Sequence, residues 1–122
     1  MGKLTTHVLD TARGKPAVGV VIWLYRVTGN SHKKIAEVVT NSDGRTAGPM
    51  LEGAALTAGQ YELLFHAGDY LRATGQVSGG QAAGEVLFLD QIPIRFGIPV
   101  VSAHYHVPLL ISPFAYSTYR GS

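Results

Sequence analysis

Residues 104–112, HYHVPLLIS, are predicted to form a β-strand whose alternate side chains face opposite sides. One face carries the apolar set Tyr105, Val107, Leu109 and Ile111. The other face carries His104, His106, Pro108, Leu110 and Ser112. The first set suits a core, so the second set should point away from it. A face that is part apolar and part histidine favours a cleft or a subunit interface over open solvent.

Seven or eight short strands are predicted along the 122 residues, with turn signals between them. The other segments with strand character are 3–10, 18–27, 34–41, 59–67, 87–100 and 115–121. Residues 68–75, GDYLRATG, are a candidate for one or two helical turns, and residues 78–85, SGGQAAGE, for a flexible loop. The pattern favours one domain of the all-β class, either an antiparallel sandwich or a barrel.

Three prolines fall inside the predicted strands. Pro93, Pro99 and Pro108 each lack the N–H group that a sheet ladder uses. We therefore expect each of them on an edge strand, at a strand end or at a bulge.

Composition excludes several classes of protein. Charged residues make up 15% of the chain, and the net charge is +2 with histidines neutral. Because this excess of positive charge is small, the composition does not indicate binding to nucleic acid. There is no cysteine, so disulfides, thiolate metal sites and a cysteine nucleophile are excluded.

No stretch approaches the ~18 consecutive apolar residues of a membrane helix, so no membrane partner is expected. The first residues, MGKLTTHVLD, lack an apolar run of signal-peptide length, and export is not expected.

The histidines of residues 104–112 have two interpretations from the residues alone. A His-x-His pair projects both imidazoles from one strand face, as a metal site requires, with His7 as a candidate third ligand. The alternative is a pair of partly exposed histidines with structural hydrogen bonds. By default Arg45, which follows a turn, is a solvated arginine, and Tyr119 and Arg120 belong to a frayed chain end.

Taken together, four segments resemble the transthyretin-related family, and within it the hydroxyisourate hydrolases. They are LTTHVLD (4–10), TNSDGRT (40–46), YELLFHAGDY (61–70) and HYHVPLLISPFAYSTYRGS (104–122). The terminal Tyr-Arg-Gly-Ser is the most specific piece, because these hydrolases end in it and the hormone-carrying transthyretins do not. Residues 75–100 have the expected strand character without a diagnostic motif.

The resemblance implies a fold, an assembly and a reaction. The fold would be a transthyretin-like two-sheet antiparallel sandwich of seven to eight strands with one short helix at 68–75. Four copies would form a homotetramer, a dimer of dimers. The reaction would be hydrolysis of 5-hydroxyisourate to 2-oxo-4-hydroxy-4-carboxy-5-ureidoimidazoline in urate degradation, with no metal or organic cofactor. The cytoplasm is the default location for such an enzyme, and the peroxisome is the alternative.

The resemblance also implies the residues of the site. The catalytic set would be His7, Arg45, His106 and Ser122. Substrate contacts would come from His7, Arg45, His104, Tyr119 and Arg120. The two catalytic histidines would handle water and protons, since a pKa of ~6.5 suits a base near neutral pH. The arginine would stabilise developing negative charge, and the terminal residues, with the terminal carboxylate, would close and order the site. Which histidine removes the proton stays open.

Two other functions remain as alternatives. A transthyretin-type carrier would bind an apolar aromatic ligand in the channel between dimers. Such a channel needs an apolar lining, whereas this chain offers histidines and an arginine. A structural sandwich module would leave the chemically defined end of the chain unexplained.

Overall fold

Two β-sheets and one short helix make up the computed structural model, which describes residues 2–77 and 86–122. The predicted loop at 78–85 lies outside the described residues. The strands are β1 (Lys3–Asp10), β2 (Lys15–Pro16), β3 (Val21–Thr28), β4 (Ser31–Val39), β5 (Leu51–Glu52), β6 (Gly59–His66), β7 (Gln91–Ile98), β8 (His104–Ser112) and β9 (Ala115–Thr118). The helix α1 spans Ala67–Ala73, and a 3-10 turn spans Gly53–Ala55. Within the described ranges, no helix is long and apolar enough to cross a membrane.

The two sheets have different strand orders. One sheet has the order β2-β1-β8-β9, with β5 also paired to β1, and the other has the order β4-β3-β6-β7. Among the described strands, every pairing is antiparallel except that of β1 with β8, which is parallel along the whole of β1. The described strands comprise seven of four or more residues and two, β2 and β5, of two residues. The predicted two-sheet sandwich with one short helix is confirmed.

Alternating side chains from both sheets fill the space between them. The core face predicted for β8 is buried: Tyr105, Val107, Leu109 and Ile111. His104 and His106 lie half-buried on the opposite face, as predicted. On β1, Leu4 and Val8 are buried and His7 is half-buried on the outside. Burying one large apolar side chain contributes about 1.5–3 kcal/mol, so the core determines which face of each strand points outward.

A buried carboxylate ties the end of β1 to the helix. Asp10 accepts hydrogen bonds from Tyr70 Oη (2.6 Å), Gln76 Nε2 (2.8 Å) and the backbone N of Arg13 (3.0 Å). Burial alone would raise the pKa of Asp10, but these hydrogen bonds outweigh burial and the pKa is lowered. Burial and the neighbouring carboxylate raise the pKa of Tyr70 to about 12. The network holds the end of β1 that follows His7.

The prolines meet the expectation at two of three positions. Pro93 lies on the edge strand β7, and Pro99 directly follows that strand. Pro108 differs, because it lies inside β8, which has β1 on one side and β9 on the other. It is tolerated because the pairing with β9 begins only at Leu109. Thr118 Oγ1 donates a hydrogen bond to the Pro108 carbonyl at 2.7 Å in place of a ladder bond.

The turn at Asp43 and Gly44 docks on β1 through its backbone. Val8 N donates to Gly44 O at 2.8 Å, and Gly44 has a positive φ of 73°. A Cβ atom at this position would overlap the Val8 carbonyl oxygen. Glycine is required both for the dihedral angle and for the close approach. The turn thereby delivers Arg45 beside His7.

We expect Gly44→Ala to lower the free energy of unfolding by more than Gly14→Ala does. Both glycines have positive φ (73° and 66°), where an alanine costs about 1–2 kcal/mol. The matched control differs in its surroundings, because nothing lies within 4 Å of a Cβ atom at Gly14. Urea unfolding of the two variants measures the difference. Equal destabilisation would show that the close approach of the turn to β1 has no part in the requirement for glycine.

Candidate active site

The parallel pairing of β1 with β8 places their outward faces side by side. Its register sets Thr5 opposite His106 and His7 opposite Pro108. The ring centroids of His7 and His106 are 6.4 Å apart and the rings are tilted by 45°. Two imidazoles that are about a hundred residues apart in the sequence therefore share one surface, as their predicted joint role requires.

His7 is held at one ring nitrogen by the turn that carries Arg45. Its Nε2 lies 2.8 Å from the carbonyl oxygen of Asp43. A carbonyl oxygen only accepts hydrogen bonds, so Nε2 carries a hydrogen and donates it. Nδ1 is then the nitrogen of His7 that can exchange a proton with water or a substrate.

Arg45 is fixed next to His7 by its backbone. The two residues form an isolated antiparallel β-bridge. The side chain of Asn41 shapes the turn, because its Oδ1 accepts from the backbone N of Asp43 at 2.9 Å and from that of Arg45 at 3.2 Å. A guanidinium, which is charged at every physiological pH, therefore extends from a defined point beside His7.

The two histidines of β8 share one hydroxyl group. Thr5 Oγ1 lies 2.9 Å from His104 Nε2 and 2.8 Å from His106 Nδ1. Nδ1 of His104 and Nε2 of His106 form no hydrogen bond with the residues that the structure describes. His106 is thus held at one nitrogen and offers the other.

The surroundings of His106 disfavour its protonated form. Partial burial is the largest cause, and positive charge on Arg45, His7 and His104 adds to it, so the pKa of His106 is lowered. An imidazole that is neutral at neutral pH and has one nitrogen unoccupied can accept a proton. His106 is therefore suited to act as a base.

The C-terminal segment crosses directly over His106. Gly121 N donates to His106 O at 2.7 Å, and His106 N donates to Gly121 O at 3.2 Å. A Cβ atom on residue 121 would lie 3.1 Å from both Cβ and Cδ2 of His106, so a glycine permits this close crossing. Ser122 is the residue that follows this bridge.

The side chain of Arg120 points to the other side of the tail. Its guanidinium lies over the Tyr105 ring, 4.7 Å from the centroid, and Nη2 is 3.5 Å from the carbonyl oxygen of His104. Tyr105 belongs to the core face of β8. Tyr119 is 57% exposed. A single chain therefore brings together His7, Arg45, His104, His106 and the backbone of Gly121. The Arg120 guanidinium lies against Tyr105 instead.

Sequence reasoning misses Thr5 and Gly121. Thr5 shares the outward face of β1 with His7, and this alternation is visible in the sequence. Its contact with two histidines depends on the register of β1 against β8, which no local pattern reveals. Gly121 is visible in the terminal tetrapeptide, but its reason, the close crossing of His106, requires the structure.

The assembled groups suit acid–base chemistry on a polar carbonyl compound. His106 can accept a proton, His7 can exchange one through Nδ1, and Arg45 can stabilise negative charge on oxygen. Within residues 2–77 and 86–122, no three His, Asp or Glu side chains are arranged to hold a metal ion.

Comparison with known proteins identifies the family that this chain matches and a relative of high sequence identity. A family profile described as the HIUase/Transthyretin family matches residues 4–121. The 5-hydroxyisourate hydrolase 2 of Rhizobium meliloti (strain 1021) is 56% identical over 121 residues, which cover 99% of this chain and 97% of the relative. The likeness therefore extends over the whole fold and over both histidine strands.

The fold is shared with solved structures, among them an allantoin synthase and a hydroxyisourate hydrolase. The crystal structure of (S)-allantoin synthase has a TM-score of 0.89 and 48% identity over 99% of this chain, which spans only 44% of that protein's length. The structure of Klebsiella pneumoniae 5-hydroxyisourate hydrolase has a TM-score of 0.77 and 36% identity, with both chains covered completely.

We predict that His106 titrates below the ordinary histidine pKa of ~6.5. Arg45→Gln should raise the His106 pKa by removing one positive neighbour, while the effect of burial remains. Arg95→Gln, on the other sheet, is the control and should leave the His106 pKa unchanged. Titration of the imidazole signals by NMR measures all three proteins. A His106 pKa at or above the ordinary value in the wild type would contradict the account of the site.

Proposed function

The chain belongs to the HIUase/Transthyretin family, and we propose that it hydrolyses 5-hydroxyisourate to 2-oxo-4-hydroxy-4-carboxy-5-ureidoimidazoline in urate degradation. The observation that carries this proposal is the pair of imidazoles of His7 and His106, 6.4 Å apart beside Arg45. The 56% identity to a curated 5-hydroxyisourate hydrolase over nearly the whole chain supports the same substrate.

The reaction requires two proton movements. Water adds to a ring carbonyl carbon of the substrate, and a base takes a proton from the water. The ring C–N bond then breaks, the leaving nitrogen receives a proton, and the carbon becomes a carboxylic acid, which releases its proton to the solvent. Water is a weak nucleophile and an amide-type nitrogen is a poor leaving group, so both movements need assistance.

The site provides one group for each part of this reaction. His106 and His7 handle the two proton movements, each held at one ring nitrogen and available at the other. Arg45 binds the substrate and stabilises the oxyanion that forms when water adds. Loss of a single oxyanion donor costs about 2.7–4 kcal/mol in a well-studied hydrolase. No metal or organic cofactor is part of the proposal.

The remaining predicted site residues bind or enclose the substrate. We assign His104, beside His106, to substrate contact, together with Tyr119 and Arg120. Ser122 belongs to the catalytic group. The crossing of the tail over His106 supports this assignment for the backbone. Because the Arg120 side chain points away from the imidazoles of its own chain, its contact with substrate requires a rearrangement or a neighbouring copy.

A carrier of the transthyretin type is the second candidate function. A channel for an apolar aromatic ligand needs an apolar lining. The outward face of β1 and β8 instead presents His7, His104 and His106 with Arg45 beside them. The high identity to a hydrolase adds to this chemical argument, and hydrolysis is the better supported function.

The proposal includes a homotetramer, built as a dimer of dimers. Large apolar side chains are exposed in the single chain, among them Phe88, Phe114 and Tyr116. The rings of Phe88 and Phe114 adjoin, with centroids 6.0 Å apart, and a contiguous exposed apolar patch favours an interface between copies. Symmetric closed assemblies are the common form of such contacts. The proposed location is the cytoplasm, with the peroxisome as the alternative.

We expect His7→Ala and His106→Ala each to lower turnover of 5-hydroxyisourate by about 10²–10⁴-fold, because each removes one acid–base group. His32→Ala is the matched control. His32 lies on the other sheet, 2.6 Å from Arg95, and its loss should leave turnover unchanged. The decay of substrate absorbance measures the rates, and a chelator should not alter them. Near-normal turnover in both His7→Ala and His106→Ala would refute the assigned roles.

A chain that lacks residues 119–122 should remain folded and tetrameric but lose at least about tenfold in kcat/KM, or ~1.4 kcal/mol. The deleted side chains are largely exposed, so their loss should change the thermal midpoint little. Light scattering should give about four times 13.0 kDa for both proteins. A monomeric full-length protein would contradict the assembly, and full activity of the shortened tetramer would remove the tail from the site.

A further inference from the structure

Thr5 occupies the point where the two histidine-bearing strands meet. It lies half-buried on the outward face of β1, directly opposite His106 in the parallel register. Its hydroxyl oxygen is 2.8 Å from His106 Nδ1 and 2.9 Å from His104 Nε2. No other hydroxyl among the described residues contacts two imidazoles.

A hydroxyl group has one hydrogen to donate, and this limits the protonation of its two neighbours. If Thr5 donates to one imidazole nitrogen, that nitrogen must carry a lone pair. The other nitrogen must then carry a hydrogen and donate it to the Thr5 oxygen. The two rings are therefore coupled, and two arrangements place the Thr5 hydrogen in one of these two bonds. If both ring nitrogens donated to the Thr5 oxygen instead, the Thr5 hydrogen would have no acceptor among the described residues.

Only one of these arrangements leaves His106 able to act as a base. When Thr5 donates to His104 Nε2 and accepts from His106 Nδ1–H, the lone pair of neutral His106 lies on Nε2, the nitrogen that is not bonded within the chain. Taking up a proton at Nε2 then requires no change at Thr5. In the other arrangement, Nε2 of His106 already carries the hydrogen and cannot accept another.

We propose that Thr5 is a positioning residue of the hydrolase, whose hydroxyl accepts from His106 Nδ1 and donates to His104 Nε2, so that His106 Nε2 is held as the proton acceptor. This inference rests on the proposed function. It also assigns His104 a second task, because a neutral His104 with its lone pair on Nε2 is the acceptor that orients the Thr5 hydrogen.

The hydrogen bond that anchors His7 differs in kind from the one that anchors His106. The Asp43 carbonyl only accepts, so it fixes a single tautomer of His7 whatever its neighbours do. The Thr5 hydroxyl can donate or accept, so it fixes the tautomer of His106 only through its bond to His104. The charged and titratable groups around His106 are Arg45, His7 and His104. Among the described residues, Nδ1 of His106 has its hydrogen bond with Thr5 and with none of these three.

The kinetic test compares three substitutions. Thr5→Val removes the hydroxyl and nearly keeps the shape, Thr5→Ser keeps the hydroxyl, and Thr6→Val is the control. Thr6 is the buried neighbour whose hydroxyl donates to Val107 O at 2.7 Å, away from the histidines. We expect Thr5→Val to lower kcat for 5-hydroxyisourate at least about fivefold with KM within about twofold, because the loss affects the base rather than binding. Thr5→Ser and Thr6→Val should stay within about twofold of the wild type.

The second readout is independent of activity. Nitrogen-15 NMR distinguishes a ring nitrogen that carries a hydrogen from one that carries a lone pair, at a pH about two units above the ordinary pKa of ~6.5. In the wild type, we expect hydrogens on Nδ1 of both His104 and His106. In Thr5→Val the His106 hydrogen should move toward Nε2, and in Thr5→Ser and Thr6→Val it should not.

The outcomes separate the two proposals. A wild-type His106 with its hydrogen on Nε2 would overturn the role of Thr5, and this result needs no variant even if Thr5→Val fails to fold. A folded Thr5→Val with the kcat of Thr6→Val and unchanged ring tautomers would also overturn it. A wild-type protein without activity on 5-hydroxyisourate would overturn the proposed function instead, and the NMR spectra would still decide the hydrogen-bond arrangement at Thr5.

Discussion

The parallel pairing of β1 with β8 is the constraint on which the rest of the site depends. Side chains alternate along a strand, so a slip of one residue would exchange the outward and inward faces of β1. Such a slip would turn the buried Leu4 and Val8 toward solvent and His7 into the core. The apolar contacts of the sandwich therefore fix the position of His7 against His106, although neither histidine contributes to the core.

The segments around this pair reach it through their backbones. The Asp43–Arg45 turn docks on Val8 and holds His7 by a carbonyl oxygen. The tail pairs with the backbone of His106 through Gly121, beyond Pro108. Such backbone contacts approach the histidines closely, and this explains why two glycines, at 44 and 121, lie beside the groups that we propose to be catalytic. Partial burial and neighbouring positive charge then keep His106 neutral, as a base requires.

Much of the fold could be predicted from the sequence, because it follows from alternation and turn chemistry. The core face of β8, the short helix and the turn before Arg45 each have a local signal, and the structure contains all three. Strand register is different, since it results from the packing of the whole sandwich. For this reason the sequence could place His104 and His106 on one face but could not reveal Thr5 between them. The direction of the Arg120 side chain also depends on a long-range contact, with the ring of Tyr105. The resemblance to a family supplied the roles of the terminal residues, which no local pattern could provide.

In the proposed reaction, the β1–β8 register makes His7 and His106 one proton-handling unit. The most direct test is a double-mutant cycle in kcat/KM for 5-hydroxyisourate, which compares the wild type, His7→Ala, His106→Ala and the double variant. Groups that act as a unit show strongly non-additive losses. The account predicts that the double variant is about as slow as the slower single variant. Losses that multiply in the double variant would show that the two histidines act independently and would contradict it.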